Sequence, residues 1–172
     1  YNTGAIYANN IRLSQGTNAL AINSLGSSRT SAPLQISFSN FDLANISRAI
    51  ERNDSLVNGS INGNITLRDI TTKLGFTSDL TIRNFAYQKN LIGDIGLQAS
   101  TAAGDRYNVL ATLTGNGNNV TVNGYYVAQT TDNALNLTAD INNINLAAFE
   151  GFTMGQLQEL SGSLGGRLNI TG

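Results

Sequence analysis

Side chains that could act as catalytic acids and bases are scattered along this sequence rather than grouped. The 11 acidic residues include Asp79, Asp94 and Asp105, and most of them fall in expected turns or at the ends of expected elements. A glycosidase-type site needs two carboxylates that face one cleft, and the spacing shows no such pair. We therefore expect turn and capping roles for these carboxylates, and no enzymatic activity.

The residue types that most often bind metals or act as general bases are missing. The sequence contains no cysteine and no histidine, which excludes disulfides, thiolate metal sites and the commonest general base. The segment GNGNN at 115–119 has glycines but lacks the lysine and the following helix of a phosphate-binding loop. We interpret it as a hairpin loop, and we expect no metal or cofactor.

Composition narrows the partners. The chain has 172 residues, a net charge of −1 and only 12% charged residues, so it lacks the basic stripe that a duplex nucleic-acid binder needs. The same charge balance argues against electrostatic docking on anionic lipid. No run of about 18 apolar residues is present, so we expect membrane contact only through segments outside this chain.

Apolar residues alternate with Asn, Thr, Ser and Gly along most of the chain, which predicts antiparallel strands with one apolar and one wetted face. The alternating positions are Ile11 and Leu13; Leu20 and Ile22; Leu34, Ile36 and Phe38; Leu74, Phe76, Leu80 and Ile82; Ile95, Leu97 and Ala99; Tyr107, Val109, Ala111 and Leu113; Val120, Val122, Gly124 and Tyr126; and Leu135, Leu137, Ala139 and Ile141. Short polar connections at 101–106, 115–119 and 128–133 favour a meander of neighbouring strands.

Two segments depart from this alternation. Residues 42–52 and 145–160 carry apolar residues at helical spacing, which predicts two short amphipathic helices. Gly151 and Gly155 weaken the second one.

The stretch LVNGSINGNITL at 56–67 contains two Asn-Gly pairs, the strongest short signal for a hairpin turn. Only two residues separate the pairs, so both cannot be turns between strands. Every second residue from Val57 to Leu67 is apolar or glycine, which instead predicts one strand with Gly59 and Gly63 on its apolar face. Two explanations of these glycines remain open: close packing of the preceding helix, or clearance for a bound apolar ligand.

An internal repeat relates the two predicted helices. An offset of 103 residues carries Leu43 onto Leu146, and it also carries Gly59 and Gly63 onto Gly162 and Gly166. We interpret residues 1–41 as strands that end one repeat unit, 42–144 as a full unit, and 145–172 as the truncated start of the next. The chain is therefore expected to be a segment of a longer protein.

The alternation of apolar residues alone would allow these strands to close into a filled sandwich or barrel. Inward glycines remove volume where a core should be filled, and the chain has little helix to cover a long sheet, so we favour a curved open sheet with an apolar interior. The residues expected to line this groove are Val57, Ile61, Ile65, Leu67, Phe76, Leu80, Ile82, Ile95, Leu97, Val109, Leu113, Val120, Val122, Tyr126, Leu135, Leu137, Leu164 and Leu168, with the groove glycines Gly59, Gly63, Gly124, Gly162 and Gly166.

Three segments carry a recognisable pattern, namely FDLANISRAIERNDSLVNGSINGNITLRD, LTIRNFAYQKNLIGDIGLQAS and RYNVLATLTGNGNNVTVNGYY. They contain a helix, then a Leu/Val-x-Gly-x-Ile/Leu-x-Gly strand, and a Gly-Asp-Ile-Gly-Leu strand after an aromatic-containing linker. From about residue 34 to the end, the sequence therefore resembles the TamB family of Gram-negative bacteria, within the AsmA-like group of bridge-like lipid transfer proteins. The Asn- and Ile-rich composition is similar to that of Bacteroidota members.

The resemblance implies an all-β, mostly antiparallel sheet that forms a taco-shaped groove, with one or two short helices. It also implies a periplasmic location within a protein anchored in the inner membrane. The implied function is movement of phospholipid acyl chains between the inner and outer membranes, in support of outer-membrane biogenesis. The implied partner is an outer-membrane protein of the TamA or BamA type.

Two other functions remain open at this stage. The apolar groove and open edges would also suit a chaperone or scaffold for nascent outer-membrane β-barrel proteins. A chain with a filled interior would instead be a structural β-domain of a surface protein.

Overall fold

A computed structural model describes residues 6–26, 32–45, 56–71, 73–103, 105–128, 134–153, 156 and 158–172. Ten strands form one antiparallel sheet in which the spatial order of the strands follows their order in the sequence. The strands are β1 (Ile11–Gln15), β2 (Asn18–Ser24), β3 (Leu34–Asp42), β4 (Val57–Arg68), β5 (Gly75–Tyr87), β6 (Asn90–Ala102), β7 (Arg106–Gly115), β8 (Asn118–Val127), β9 (Leu135–Asn145) and β10 (Ser163–Thr171).

The sheet is open, with β1 and β10 as its edges. This confirms the prediction of an all-β antiparallel meander, and it removes the closed barrel from the alternatives. Among the described residues, the main contacts of each strand are with its neighbours in the sheet, and no second sheet lies against it. The fully buried apolar side chains are accordingly few, and they include Phe41, Ile61 and Ile92.

The hairpin that joins β7 to β8 shows how the short connections form. Gly115 lies opposite Asn118, so Asn116 and Gly117 are the two turn residues, and both have a positive φ. This is the requirement of a type I′ turn, whose twist matches that of the flanking strands. The prediction that GNGNN is a hairpin loop is therefore confirmed. Of the other two predicted connections, residues 104 and 129–133 lie outside the described part of the chain.

The stretch with two Asn-Gly pairs lies within a single strand, β4. A different physical reason for its glycines emerges from the backbone. Gly63 has a φ of +121°, and a Cβ built there would lie 2.1 Å from the carbonyl oxygen of Asp79 in β5. Gly124 has a φ of +152°, and its Cβ would lie 2.0 Å from the carbonyl oxygen of Asn136 in β9. Only glycine adopts this conformation readily.

The interpretation of these glycines as gaps in the apolar face therefore needs correction. At Gly63 and Gly124 the missing Cβ would point sideways into the neighbouring strand, not into the space above the sheet. For Gly59 the nearest described atoms also belong to β5, namely Ile82, Arg83 and Phe85. The glycines permit close approach between neighbouring strands.

The two predicted helices are only partly seen. Residues 43–45 are helical, and the rest of the predicted segment, 46–52, lies outside the described residues. The second segment forms a short 3₁₀ helix, η1 (Leu146–Thr153), which confirms a helix at this place, while residues 154, 155 and 157 of the predicted range lie outside the described residues. A Cβ at Gly151 would lie within 3.2 Å of the carbonyl oxygen of Tyr87, so η1 passes close to the β5–β6 hairpin.

The offset of 103 residues recurs in the hydrogen-bond register. Each described pair of β3 with β4, from Leu34 opposite Leu67 to Asp42 opposite Ser60, has its counterpart in a pair of β9 with β10. The irregularity of the ladder recurs as well, between Phe38 and Phe41 in β3 and between Gly166 and Leu164 in β10. The boundaries of the repeat units themselves stay a prediction.

The helix starts correspond in the same way. The backbone amide of Ala44 donates to the Asp42 carboxylate over 2.9 Å, and that of Ala147 donates to the Asn145 side-chain oxygen over 3.2 Å. An Asx side chain before the first helical residue satisfies an amide that lacks a partner in the helix. The two helix starts therefore use the same capping interaction at matching positions.

A second correspondence, with an offset of 100 residues, relates β1 and β2 to β7 and β8. Ile11 opposite Ile22 matches Ala111 opposite Val122, and Gln15 opposite Asn18 matches Gly115 opposite Asn118. Strands β1–β4 thus correspond in order to β7–β10, which gives the sheet a period of six strands.

We expect Gly63→Ala to destabilise the sheet by at least about 1–3 kcal/mol, because alanine is strained at this φ and its Cβ would collide with Asp79. The measurement is the midpoint of urea unfolding followed by circular dichroism. Gly166 has a comparable φ, but no atom lies within 4 Å of the position of its Cβ. Gly166→Ala should therefore lower the stability less than Gly63→Ala does. Gly75→Ala, whose Cβ would be 3.9 Å from the nearest atom, should have little effect. Equal midpoints for all three variants would contradict the close-approach explanation.

Candidate functional site

The register assigns side chains to two faces of the sheet. Successive side chains in a strand point to opposite faces, and residues directly opposite each other in neighbouring strands share a face. Starting from Leu97, its partners Leu80 and Ala111 lie on the same face, which we call the apolar face. The other face, which carries Gln98 and Thr112, we call the polar face.

All of the predicted groove-lining residues that lie in strands fall on the apolar face. This holds from Val57 in β4, opposite Tyr87 in β5, to Leu168 in β10, opposite Ala139 in β9. Gly162 directly precedes β10 and accepts a hydrogen bond from the amide of Leu146. The face on which these residues lie is thus set by the register, while their role in lining a groove stays a prediction.

Two rows of directly paired residues cross the apolar face through all ten strands. The first row consists of Leu13, Leu20, Phe38, Gly63, Leu80, Leu97, Ala111, Val122, Ala139 and Leu168. The second consists of Ile11, Ile22, Ile36, Ile65, Ser78, Ala99, Val109, Gly124, Leu137 and Ile170. Neighbouring strands lie about 4.8 Å apart, so each row spans roughly 40 Å.

Several members of these rows were not among the predicted groove residues, although their alternation was visible. Leu20, Phe38 and Ala111 are examples. The signal that would have included them is the register itself. Phe38 lies opposite Gly63, Ala111 lies opposite Leu97, and Leu20 joins the same row through Phe38.

Charge is separated from these rows. Within the described strands, every charged side chain falls on the polar face or at the end of its strand. These residues are Arg12, Asp42, Arg68, Asp79, Arg83, Asp94, Arg106, Asp140 and Arg167. On the polar face Arg106 lies over the ring of Tyr125, 3.7 Å from its centroid. The apolar face therefore offers no ionic group to a ligand.

The hydroxyl groups of the apolar face are engaged by the backbone. Ser78 accepts a hydrogen bond from the amide of Ala99 over 3.1 Å, and Thr101 accepts one from the amide of Phe76 over 3.1 Å. Because these oxygens already have partners, they interrupt the apolar surface less than free hydroxyls would.

Aromatic rings border the rows on the side away from η1. The rings of Phe76 and Tyr107 lie 6.1 Å apart between centroids, and those of Tyr107 and Tyr126 lie 6.3 Å apart. The three rings are inclined to their neighbours by only 21°. The three rings lie in a line across β5, β7 and β8. The two tyrosines thereby place their hydroxyl groups at one margin of the apolar face.

The opposite margin is covered by η1. The ring of Phe152 stacks on that of Tyr87 with centroids 4.2 Å apart, and Ile92 beneath this end of the sheet is only 2% exposed. Residues 43–45 begin at the same end of the sheet, after β3. Helix η1 thus covers one end of the strands, and among the described residues no layer covers the rows themselves.

A buried amide holds this covered end together. Asn118, 4% exposed, donates from its side chain to the carbonyl oxygen of Ile92 over 2.7 Å. Its side-chain oxygen accepts from the amide of Asn145 over 2.8 Å. One side chain in the β7–β8 hairpin thereby connects β6 to the point where η1 begins.

The rows are accessible. Most apolar-face side chains in the central strands are half-buried by their neighbours in the sheet, whereas Leu164 and Leu168 in β10 are 50% and 53% exposed. In the described part of the chain no group of three or more acidic side chains is close enough to hold a metal ion. The arrangement provides apolar contact area on one face of the sheet.

The described helices include none long and apolar enough to cross a membrane. Comparison with known proteins finds no matching family model, no matching curated protein and no matching solved structure.

We expect Asn118→Ala to destabilise the covered end by about 1–3 kcal/mol, because it leaves a buried carbonyl and a buried amide without their partner. Hydrogen exchange should show lower protection of the amide of Asn145, which loses its acceptor. Asn123→Ala, an exposed position on the polar face of the same strand, is the matched control and should change stability by less than about 0.5 kcal/mol. Equal effects of the two substitutions would contradict the role given to Asn118.

Proposed function

We propose that this chain is a segment of a TamB-type bridge protein of the periplasm, and that its apolar face carries the acyl chains of phospholipids. The observation that carries the proposal is the pair of rows across all ten strands, apolar except for Ser78 and the glycines Gly63 and Gly124, with every described strand charge kept off that face or at a strand end. A curved, taco-shaped sheet would turn these rows into a groove with an apolar interior.

The lack of a covering layer supports a ligand role for this face. Monomeric soluble proteins rarely expose large contiguous apolar patches, and larger patches commonly mark binding sites. A sheet face built only for stability would be expected to lie against helices or a second sheet. Here η1 and residues 43–45 lie at one end, and the rows between the strand ends remain accessible.

The energetics of acyl-chain binding fit such a surface. Burying one methylene is worth about 0.8 kcal/mol, so a 16-carbon chain gains on the order of 10 kcal/mol from continuous apolar contact. That gain requires no ion pair and no hydrogen bond from the protein, which agrees with the composition of the apolar face. The headgroup would remain in water or near the margin that carries Tyr107 and Tyr126.

The dimensions also suit a conduit rather than a closed pocket. Two rows that continue from β1 to β10 give a path of roughly 40 Å, along which an acyl chain meets similar side chains at each strand. Similar contact at successive positions lowers the free-energy cost of moving an acyl chain from one position to the next. We propose no catalytic role for the chain.

A chaperone or scaffold for outer-membrane β-barrel proteins remains the second candidate. The specific observation in its favour is that both edge strands are exposed along their whole length, since exposed edges can take up an extended polypeptide. This function would be assisted by a partner of the TamA or BamA type. It predicts capture of unfolded barrel proteins in place of lipid.

Photo-crosslinking distinguishes these functions. A photoreactive residue at Leu97 or Val122 should capture radiolabelled phospholipid from vesicles, and the same residue at Gln98 or Asn123 should not. Each control is the next residue in the same strand and lies on the polar face, so strand position and backbone are matched. We expect at least a tenfold difference in labelling. Equal labelling of both faces would contradict the proposal, and crosslinks mainly to barrel proteins in cells would favour the chaperone function.

A charge in the middle of the rows should block binding. Leu97→Asp removes apolar contact worth about 1.5–3 kcal/mol, and about 1.4 kcal/mol corresponds to a factor of ten in affinity. We therefore expect at least tenfold weaker binding of a fluorescent fatty acid, measured by titration. Thr112→Asp introduces the same charge on the polar face, opposite the uncharged Gly96 and Thr121, and should leave the affinity unchanged. Weaker binding by both variants would contradict an assignment of the site to the apolar face.

A further inference from the structure

We propose that the free edge of β10 is a docking site for one further antiparallel strand, of the same type as β5 and in the register that β5 takes on β4. The inference rests on backbone register, glycine conformation and charge, and not on lipid binding. A failure of the lipid proposal would therefore leave it standing.

The correspondence between β4 and β10 supports a further strand on β10. The ladders that hold β4 on β3 and β10 on β9 match pair by pair, including their irregularity. On its other side β4 pairs with β5 along its whole length. The equivalent side of β10 is free in the described chain, and all nine residues of β10 are exposed.

The backbone of β10 is set for pairing. At the end of the strand, Gly172 and Leu135 exchange both backbone hydrogen bonds, over 3.1 and 2.6 Å. Because such pairs alternate along an antiparallel ladder, the N–H and C=O groups of Thr171, Asn169 and Arg167 point away from β9. They form the row of unpaired groups that a further strand would satisfy.

The conformation of Gly166 also supports a further strand on β10. Its φ of +157° lies near those of Gly63, Gly93 and Gly124, at +121°, +141° and +152°. At each of those three positions a carbonyl oxygen of the neighbouring strand lies within 2.3 Å of where a Cβ would be. Gly166 has no atom within 4 Å of that position, so it has the conformation for close approach without the strand that would approach.

Charge favours the same partner. In the β4–β5 register Asn64 lies opposite Asp79, and the residue of β10 that matches Asn64 is Arg167. A β5-type strand would therefore place its aspartate directly opposite Arg167, whose side chain is 67% exposed and already paired with Asp140 on the other side. Opposite charges at directly facing positions stabilise a strand pair.

The six-strand period argues against a second copy of this chain as the partner. The other free edge, β1, corresponds to β7, and β7 follows a β6-type strand. Direct pairing of β10 with β1 of another copy would omit the equivalents of β5 and β6. In addition, β1 has only 5 residues, compared with 9 in β10. The partner is therefore a strand with the alternation of β5, supplied by a further repeat of this kind.

Disulfide trapping tests both the pairing and the register. The chain contains no cysteine, so Leu168→Cys introduces a single thiol. A synthetic peptide of residues 74–87 with Ser78→Cys should form a mixed disulfide with it, because Ile65, which matches Leu168, lies opposite Ser78. Facing residues in a sheet lie about 4.5–5.5 Å apart between Cα atoms, within the range of a disulfide.

The matched control is the same peptide with cysteine in place of Leu80 instead, which keeps the face but shifts the register by two residues. We expect at least tenfold more disulfide with the Ser78→Cys peptide, and little with a scrambled peptide that carries one cysteine. A second pair, Ile170→Cys with the Phe76→Cys peptide, keeps the test decisive if Leu168→Cys folds poorly. Equal yields for all peptides would overturn the proposal. So would chain-to-chain association through β10 and β1, measured by sedimentation, that the β5 peptide does not reduce.

Discussion

The antiparallel hydrogen-bond register is the constraint on which the rest of this structure depends. Side chains alternate with a period of two, so a slip of one residue in any ladder would move a whole strand's apolar set to the opposite face. Across ten strands the register keeps Leu80, Leu97 and Val122 in one row. The described residues form little covering layer over the sheet. The apolar surface therefore depends on this alignment and not on a packed interior.

Irregular points and glycines with a positive φ occur at defined places in these ladders. Long strands accumulate twist, and a bulge re-aims the chain without reversing its faces. Glycines at Gly63, Gly93 and Gly124 adopt a conformation that a residue with a Cβ does not adopt readily, and they allow the neighbouring carbonyl to approach. The same device occurs at Gly166, on an edge with no neighbour. The backbone therefore encodes the repeat more fully than the side chains do.

In the described part of the chain, the sheet has one wetted face and one apolar face that no second layer covers. This architecture is unusual. A stable globular domain normally buries its apolar face against another layer, yet here Ile61, Ile92 and few others are fully buried. Stability must then come mainly from contacts between neighbouring strands and from the covered end at Asn118 and η1. Such a design leaves apolar area available for a partner along the full width of the sheet.

Sequence alone was sufficient for the strand content, the parity of the apolar positions, the single strand at 56–67 and the offset of 103 residues, since each depends only on local alternation and spacing. It could not give the 3₁₀ form of η1 or the stacking of Phe152 on Tyr87 of a distant hairpin. Nor could it explain the glycines, because their conformation is set by carbonyl groups of neighbouring strands. The six-strand period and the open edges were likewise decided in three dimensions, because strand pairing is a relation between segments far apart in the chain.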